Sequence, residues 1–248
     1  AGARTGAPRA PDCGIRPSSA SARAAPGQAT PRRLRRENTC RTASGNLLLR
    51  TRVNHDTSLR PGARLARTAS LLVVIDVQER LAPHVLGHEA LIARTEALVS
   101  AAERFGIPRY ATEHLPDRIG RTIPRLRDRF APEAIFAKSR FGALGHAEFA
   151  AMLAATGRRQ VVLCGMEAHV CVMQTALGLA TIGCDVFVVG DAVGSRPARQ
   201  DDRRWALERM QRAGCIVAGA ETVLFEWAER GDDPAFRDVL ALVKALPA

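Results

Sequence analysis

Three residues far apart in the sequence are of the types that together can activate a sulfur nucleophile: Asp76, Lys138 and Cys171. Cys171 lies in Leu163-Cys164-Gly165-Met166-Glu167-Ala168-His169-Val170-Cys171-Val172, where an apolar strand (Arg159 to Gly165) gives way to a helix over Val170 to Ile182. Helix N-termini present unpaired N–H groups and the positive end of the dipole, which pushes a thiol toward thiolate. Taken alone, Cys171 reads equally as a small apolar core residue, where most free cysteines end up. Asp76 closes the apolar run Leu71 to Ile75 and by itself reads equally as a cap for the turn that follows. Lys138 ends the run Ala134 to Ala137 and by itself reads as a surface loop lysine. Composition weighs on this last choice. The chain has 34 Arg and only two Lys, Lys138 and Lys244. A lysine kept at a strand end points to a need for a compact ammonium rather than a planar fork.

The elements that must position these residues alternate. Leu71-Leu72-Val73-Val74-Ile75 is a continuous apolar run, the mark of a strand buried on both faces. A helix is predicted over 89–105, capped by Gly106, and strands over 108–114 and 134–138. A helix over 147–156 ends at Gly157. Strands follow at 160–165 and 185–191, a helix at 199–213, a strand at 215–218 and a closing helix at 234–246. Strand–helix alternation demands parallel strands with right-handed crossovers. The fold class is therefore α/β: a three-layer, doubly wound, parallel six-stranded sheet. Asp76, Lys138 and Cys171 then stand at the C-terminal ends of three strands, the edge at which such sheets bind ligands. No GxGxxG follows the first strand and no Walker A sequence is present, so a nucleotide site lacks its phosphate cradle.

Charge divides the chain in two. Residues 1–69 hold fourteen Arg and three acids, whereas 70–248 hold as many acids as bases, so the net charge of +11 resides in the N-terminal segment. That segment is rich in Ala, Arg, Pro, Gly and Ser, with Leu47-Leu48-Leu49 its one aliphatic cluster. It cannot bury enough apolar surface to offset ordering entropy, and it is expected to be a disordered tail preceding a folded domain at 70–248. Arg32-Arg33-Leu34-Arg35-Arg36 could touch an anionic surface, but no aromatic residue is interleaved, so no nucleic-acid partner is expected. The Arg-rich, acid-poor tail also fits a mitochondrial transit peptide, although its prolines oppose the amphipathic helix such peptides form. The chain opens on Ala1 and its first methionine is Met152, as expected of a fragment, a processed form or translated upstream sequence. No run approaches a membrane span. The six cysteines show no CxxC spacing, which fits a reducing, cytoplasmic compartment.

Asp76-Val77-Gln78, Lys138 and Gly165-Met166-Glu167-Ala168-His169-Val170-Cys171-Val172 together resemble the signature of the isochorismatase-like cysteine hydrolases, which include nicotinamidases and N-carbamoylsarcosine amidohydrolase. Thr112-Glu113-His114-Leu115-Pro116, Asp191 to Arg196 and Glu221 to Glu226 are similar to the isochorismatase-domain-containing branch. The resemblance implies an acyl-enzyme mechanism on an amide or ureide-type C–N bond of a small molecule. Cys171 would be the nucleophile, Asp76 the proton carrier and Lys138 the cation that holds Asp76. It also implies an oxyanion hole from the N–H groups of Glu167 and Cys171, a cis peptide at Met166–Glu167, and a homo-oligomer. Isochorismatases proper act on an enol ether and lack the cysteine, so Cys171 argues against that reaction. Nicotinamidases hold zinc with an Asp and two His after the second strand. Here that loop offers Glu113, a lone His114 and Asp117, so neither metal nor cofactor is expected. The branch usually has Gln at the position of His114. By position, Gln78, His114, Leu115, Phe141 and His169 are expected to line a pocket for a small acyl or amide substrate. A fold relative kept for binding or assembly, with little turnover, is the alternative.

Overall fold

In a computed structural model of the chain, the structure describes Gly2 and residues 63–247. The remainder of the basic segment, with Cys13, Cys40, the Leu47–Leu49 cluster and Arg32–Arg36, lies outside the described residues.

The run Ser70–Ile75 forms strand β1, and all six of its residues are buried. It pairs in parallel with β2 (Arg109–His114) on one side and with β4 (Gln160–Met166) on the other. β3 (Ile135–Lys138) extends the sheet beyond β2, and β5 (Asp185–Gly194) and β6 (Ile216–Ala218) extend it beyond β4. The order is β3-β2-β1-β4-β5-β6, all parallel. This is the six-stranded doubly wound sheet expected from the alternation of elements.

Period-two alternation along β1 sorts its side chains into two cores. Leu72 and Val74 join a cluster with Leu98, Val99, Leu224 and Trp227. These come from α1 (His88–Arg104) and α7 (Ala220–Ala228), which α8 (Phe236–Lys244) backs. Leu71, Val73 and Ile75 join the opposite cluster with Phe149, Leu153, Leu179 and Met210. Those come from α4 (Ala147–Thr156), α5 (Met173–Thr181) and α6 (Gln200–Arg212). Fully burying one such side chain is worth about 1.5–3 kcal/mol, so a strand apolar on both faces anchors two layers at once.

Three features depart from the sequence reading. Helix α7 was not anticipated: its first N–H, from Ala220, is capped by the Asp191 carboxylate at 2.8 Å, a partner 29 residues away that leaves no local N-cap signal. Strand β5 runs on to Gly194 past an irregularity in its pairing with β4 between Leu163 and Gly165. Residues 64–69, placed with the tail on composition, are tied to the folded body. The Leu65 N–H donates to Glu226 Oε2 (2.8 Å), the Ala66 N–H donates to Gln160 Oε1 (2.7 Å), and Gln160 Nε2 donates to the Arg64 carbonyl (2.8 Å). Leu65 is buried against the α1/α7 core.

Gly165, one residue before the end of β4, has to be glycine. Its φ is +119°, and a Cβ there would lie 2.0 Å from the Ile75 carbonyl oxygen on β1. Gly165→Ala is therefore expected to destabilise the protein by at least ~2 kcal/mol, read as a lowered denaturation midpoint with an unchanged m-value.

Candidate active site

The sheet order reverses between β1 and β4. The chain leaving β1 turns toward α1 on one face, and the chain leaving β4 turns toward α5 on the other. This topological switch opens a crevice at the carboxyl edge, and Asp76 and Cys171 arrive there from its two sides.

Asp76 follows β1 with φ 49°, a left-handed conformation that Asp tolerates better than most residues. It is fully buried. Its Oδ1 accepts a 2.7 Å hydrogen bond from Thr112 Oγ1 on β2, and its Oδ2 accepts one of 2.7 Å from Lys138 Nζ on β3. The side chains of Lys138 and Asp76 are 1% and 0% exposed, so this is a desolvated ion pair and neither a turn cap nor a loop lysine. Lys138 Nζ also donates to the Phe141 carbonyl at 3.1 Å. A buried charge is tolerated only when paired and hydrogen-bonded, and both ends of this pair are.

Cys171 lies in the turn Ala168–Val172, which has π-helical geometry and leads into α5. The helical chain thus starts two residues earlier than its sequence suggested, and the thiol sits within the first turn. The N–H groups of Val170 and Val172 both donate to the Glu167 carbonyl (3.1 and 3.3 Å). Cys171 is 6% exposed. Burial pushes its pKa well up; the Asp76 carboxylate pushes it further the same way, and the Lys138 ammonium opposes them. The expectation of a helix-stabilised thiolate is corrected here: at rest the sulfur keeps its proton, because desolvation and a neighbouring carboxylate outweigh the Lys138 ammonium. The ultraviolet difference spectrum between wild type and Cys171→Ala should accordingly show no thiolate band at neutral pH; a band would reveal a resting ion pair instead.

The expected lining residues divide. His114 ends β2 in register with Lys138, and its ring lies 5.0 Å from that of Phe141. Phe141 is 47% exposed and so is not a core residue. Gln78 is fully buried and braces the loop after β2: its Nε2 donates to the carbonyls of His114 (3.1 Å) and Gly120 (2.5 Å), and its Oε1 accepts from the His114 N–H (2.8 Å). Both its donors are engaged within the protein. Leu115 opens the short helix α2 (Pro116–Ile119) at φ 42° and donates its N–H to the Lys138 carbonyl. His169 Nδ1 lies 2.9 Å from the buried Ser195 Oγ.

The Met166–Glu167 peptide is cis. The Glu167 carboxylate is held by Arg196, whose N–H (3.1 Å) and Nε (3.0 Å) both donate to Oε1. Beside it lies a cleft of about 640 Å³ lined by Leu81, His84, Glu167, Arg196, Pro197 and Ala198. His84 and Arg196 received no role from sequence. The segment containing Arg196 was noted, but only folding brings it against Glu167. A zinc centre of the nicotinamidase kind does not fit these residues. The Glu113 carboxylate accepts the Thr122 N–H (2.7 Å), and among the described residues no three His, Cys, Asp or Glu are grouped to hold a metal ion. Among the described residues no helix is long and apolar enough to cross a membrane.

Comparison with known proteins bears on this geometry. The chain is 33% identical over 180 residues to isochorismatase domain-containing protein 1 of Danio rerio, covering 73% of this chain and 62% of that protein. With the Salmo salar protein of the same name (59% covered), this chain spans about 60% of the length of such relatives. It is 34% identical over 185 residues to the secreted isochorismatase effector Isc1 of Phytophthora sojae, covering 73% of this chain and 87% of the effector. Among solved structures, the MAR1 ribonuclease of Caenorhabditis elegans superposes with a TM-score of 0.70 at 34% identity, covering 75% of this chain and 95% of that one. YcaC of Pseudomonas aeruginosa, solved with covalent acrylamide, gives a TM-score of 0.67 at 27% identity, covering 72% and 91%. Residues 70–222, from the first residue of β1 into α7, match the isochorismatase domain itself. A match that takes in the whole sheet and all three strand-end residues leaves one assignment: the chain belongs to the isochorismatase family, a hydrolase-type family.

Proposed function

We propose that this protein is a cysteine hydrolase that cleaves an amide or ureide-type C–N bond of a small molecule. The observation that carries the reading is the convergence of a buried Asp76–Lys138 ion pair on the Cys171 thiol at the sheet's switch point. Because the thiol is protonated at rest, attack requires a base, and Asp76 is the carboxylate beside it. In the first step the Cys171 proton passes to Asp76 as Sγ bonds to the substrate carbonyl carbon. The tetrahedral oxyanion is held by the N–H groups of Glu167 and Cys171, donors of a kind worth ~3–4 kcal/mol each. The C–N bond then breaks, and the leaving nitrogen takes the proton from Asp76. Water attacks the thioester, returns a proton to Asp76, and the acid leaves as Sγ is reprotonated. Lys138 keeps Asp76 oriented through the hydrogen bond to Oδ2. No metal or cofactor takes part in this reading, and self-association remains part of it.

The test is ammonia release from a panel of primary amides, ureides and nitrogen-heterocycle carboxamides. Turnover that vanishes in Cys171→Ala supports the reading; turnover retained in that variant sinks it. A second reading comes from the nematode relative, described as a ribonuclease. The equal numbers of acidic and basic residues in 70–248 give it no electrostatic footprint for RNA. RNA cleavage that survives removal of residues 1–62 and is lost in Cys171→Ala would favour it.

A further inference from the structure

One polar atom at this site has no use in the mechanism above. His114 is 8% exposed, and its Nδ1 is buried without a hydrogen-bond partner. It lies on the working side of the sheet: period-two alternation on β2 puts His114 on the same face as Thr112, whose hydroxyl holds Asp76. Asp76 and Lys138 are both close enough to act on the ring. On its outer side the ring is flanked by the half-exposed Phe141.

The protonation state follows from the surroundings. Burial and the Lys138 ammonium hold the ring pKa below its ordinary value, so the ring is neutral. The Arg140 backbone weakly favours a proton on the ring, without outweighing burial. A neutral imidazole has one N–H and one bare nitrogen; in the Nε2–H tautomer the unpartnered Nδ1 carries the lone pair. A buried acceptor without a donor is costly, and a site built around one rejects ligands that cannot satisfy it.

We propose that His114 Nδ1 is a specificity-determining hydrogen-bond acceptor for the substrate. It selects compounds whose reacting amide or ureide carries a free N–H next to a flat group packed on Phe141. Primary amides and unsubstituted ureides satisfy it, whereas N,N-dialkylated analogues and esters leave it unpaired. The inference rests on the cysteine-hydrolase reading for the identity of the reacting group, but its test does not depend on turnover.

The imidazole nitrogen NMR signal of His114 in the full chain, assigned by its loss in His114→Gln, reports on Nδ1 directly. Propionamide should shift it and N,N-dimethylpropionamide should not, in wild type and in Cys171→Ala alike. A signal that moves with neither amide, or equally with both, overturns the proposal, whatever Cys171 does. Alkylation gives a second readout, in which Sγ adds across the double bond of acrylamide or N,N-dimethylacrylamide and the thiol proton ends on carbon. The preference of Cys171 for acrylamide should fall roughly fivefold in His114→Phe, which keeps a ring but no acceptor, and persist in His114→Gln, which retains one. An unchanged preference in His114→Phe counts against the proposal. Labelling of Cys171 no faster than Cys184 in wild type counts instead against the hydrolase reading.

Discussion

Replacing Lys138 with Met is expected to lower the unfolding free energy by about 3–5 kcal/mol, a fall in melting temperature of roughly 10 °C for a domain of this size. The reason is the environment of Asp76. Its carboxylate is fully buried, with one oxygen on Thr112 and the other on Lys138 Nζ. Removing the ammonium leaves a desolvated anion with one hydroxyl, and the carboxyl must then take up a proton or draw in water. Lys138→Arg should not rescue, because a planar fork cannot occupy the space of a compact ammonium bonded at once to Asp76 Oδ2 and the Phe141 carbonyl. The double variant Asp76→Asn/Lys138→Met separates structure from chemistry. With no charge left buried alone, it should regain most of the lost stability, yet remain inactive for want of a base. Thermal unfolding of the three variants checks the first claim; if Lys138→Met melts within 2 °C or so of wild type, the ion pair is not the buried unit described above.

The second large effect is on turnover. Cys171→Ala should reduce kcat by at least about 10⁴-fold on any substrate the wild type turns over, a loss typical of removing a catalytic nucleophile. Stability should change by only about 1 kcal/mol, since the substitution removes little more than a sulfur's volume. The pairing matters: a variant that folds, melts near wild type and does not turn over isolates the thiol as chemical rather than structural. Asp76→Asn should lose turnover comparably because it removes the base on which a protonated thiol depends. If Asp76→Asn instead retained rapid Cys171 alkylation, the thiol would not need that base.

Much of this site was legible from the chain because strand ends are legible. A run such as Leu71 to Ile75 is apolar on both faces, and a polar residue just after it stands at the sheet edge whatever the details. This placed Asp76, Lys138 and Cys171 at the sheet edge without any knowledge of their contacts. The scarcity of lysine singled out Lys138, whose ammonium is buried in an ion pair with Asp76. Helix α7 was missed because its cap is Asp191 from β5, and a cap borrowed across the fold leaves no trace in neighbouring residues. Segment 64–69 was misplaced for a similar reason: its composition is that of the tail, while the bonds that fix it come from Gln160 and Glu226.

The sequence by itself determined the parallel α/β sheet, the edge at which Asp76, Lys138 and Cys171 stand, and the chemical types that meet there. Those follow from periodicity and residue type, which are local. Only the tertiary structure decided the charge states and the division of labour. Cys171 keeps its proton because burial and Asp76 outweigh the Lys138 ammonium. Gln78 braces a loop because the His114 and Gly120 backbones enclose its amide. His114 keeps a neutral ring because burial and the Lys138 ammonium both oppose its charge, and its Nδ1 is left buried without a hydrogen-bond partner. Each of these depends on desolvation and on distances between residues remote in sequence, and neither is set until the strands lie side by side.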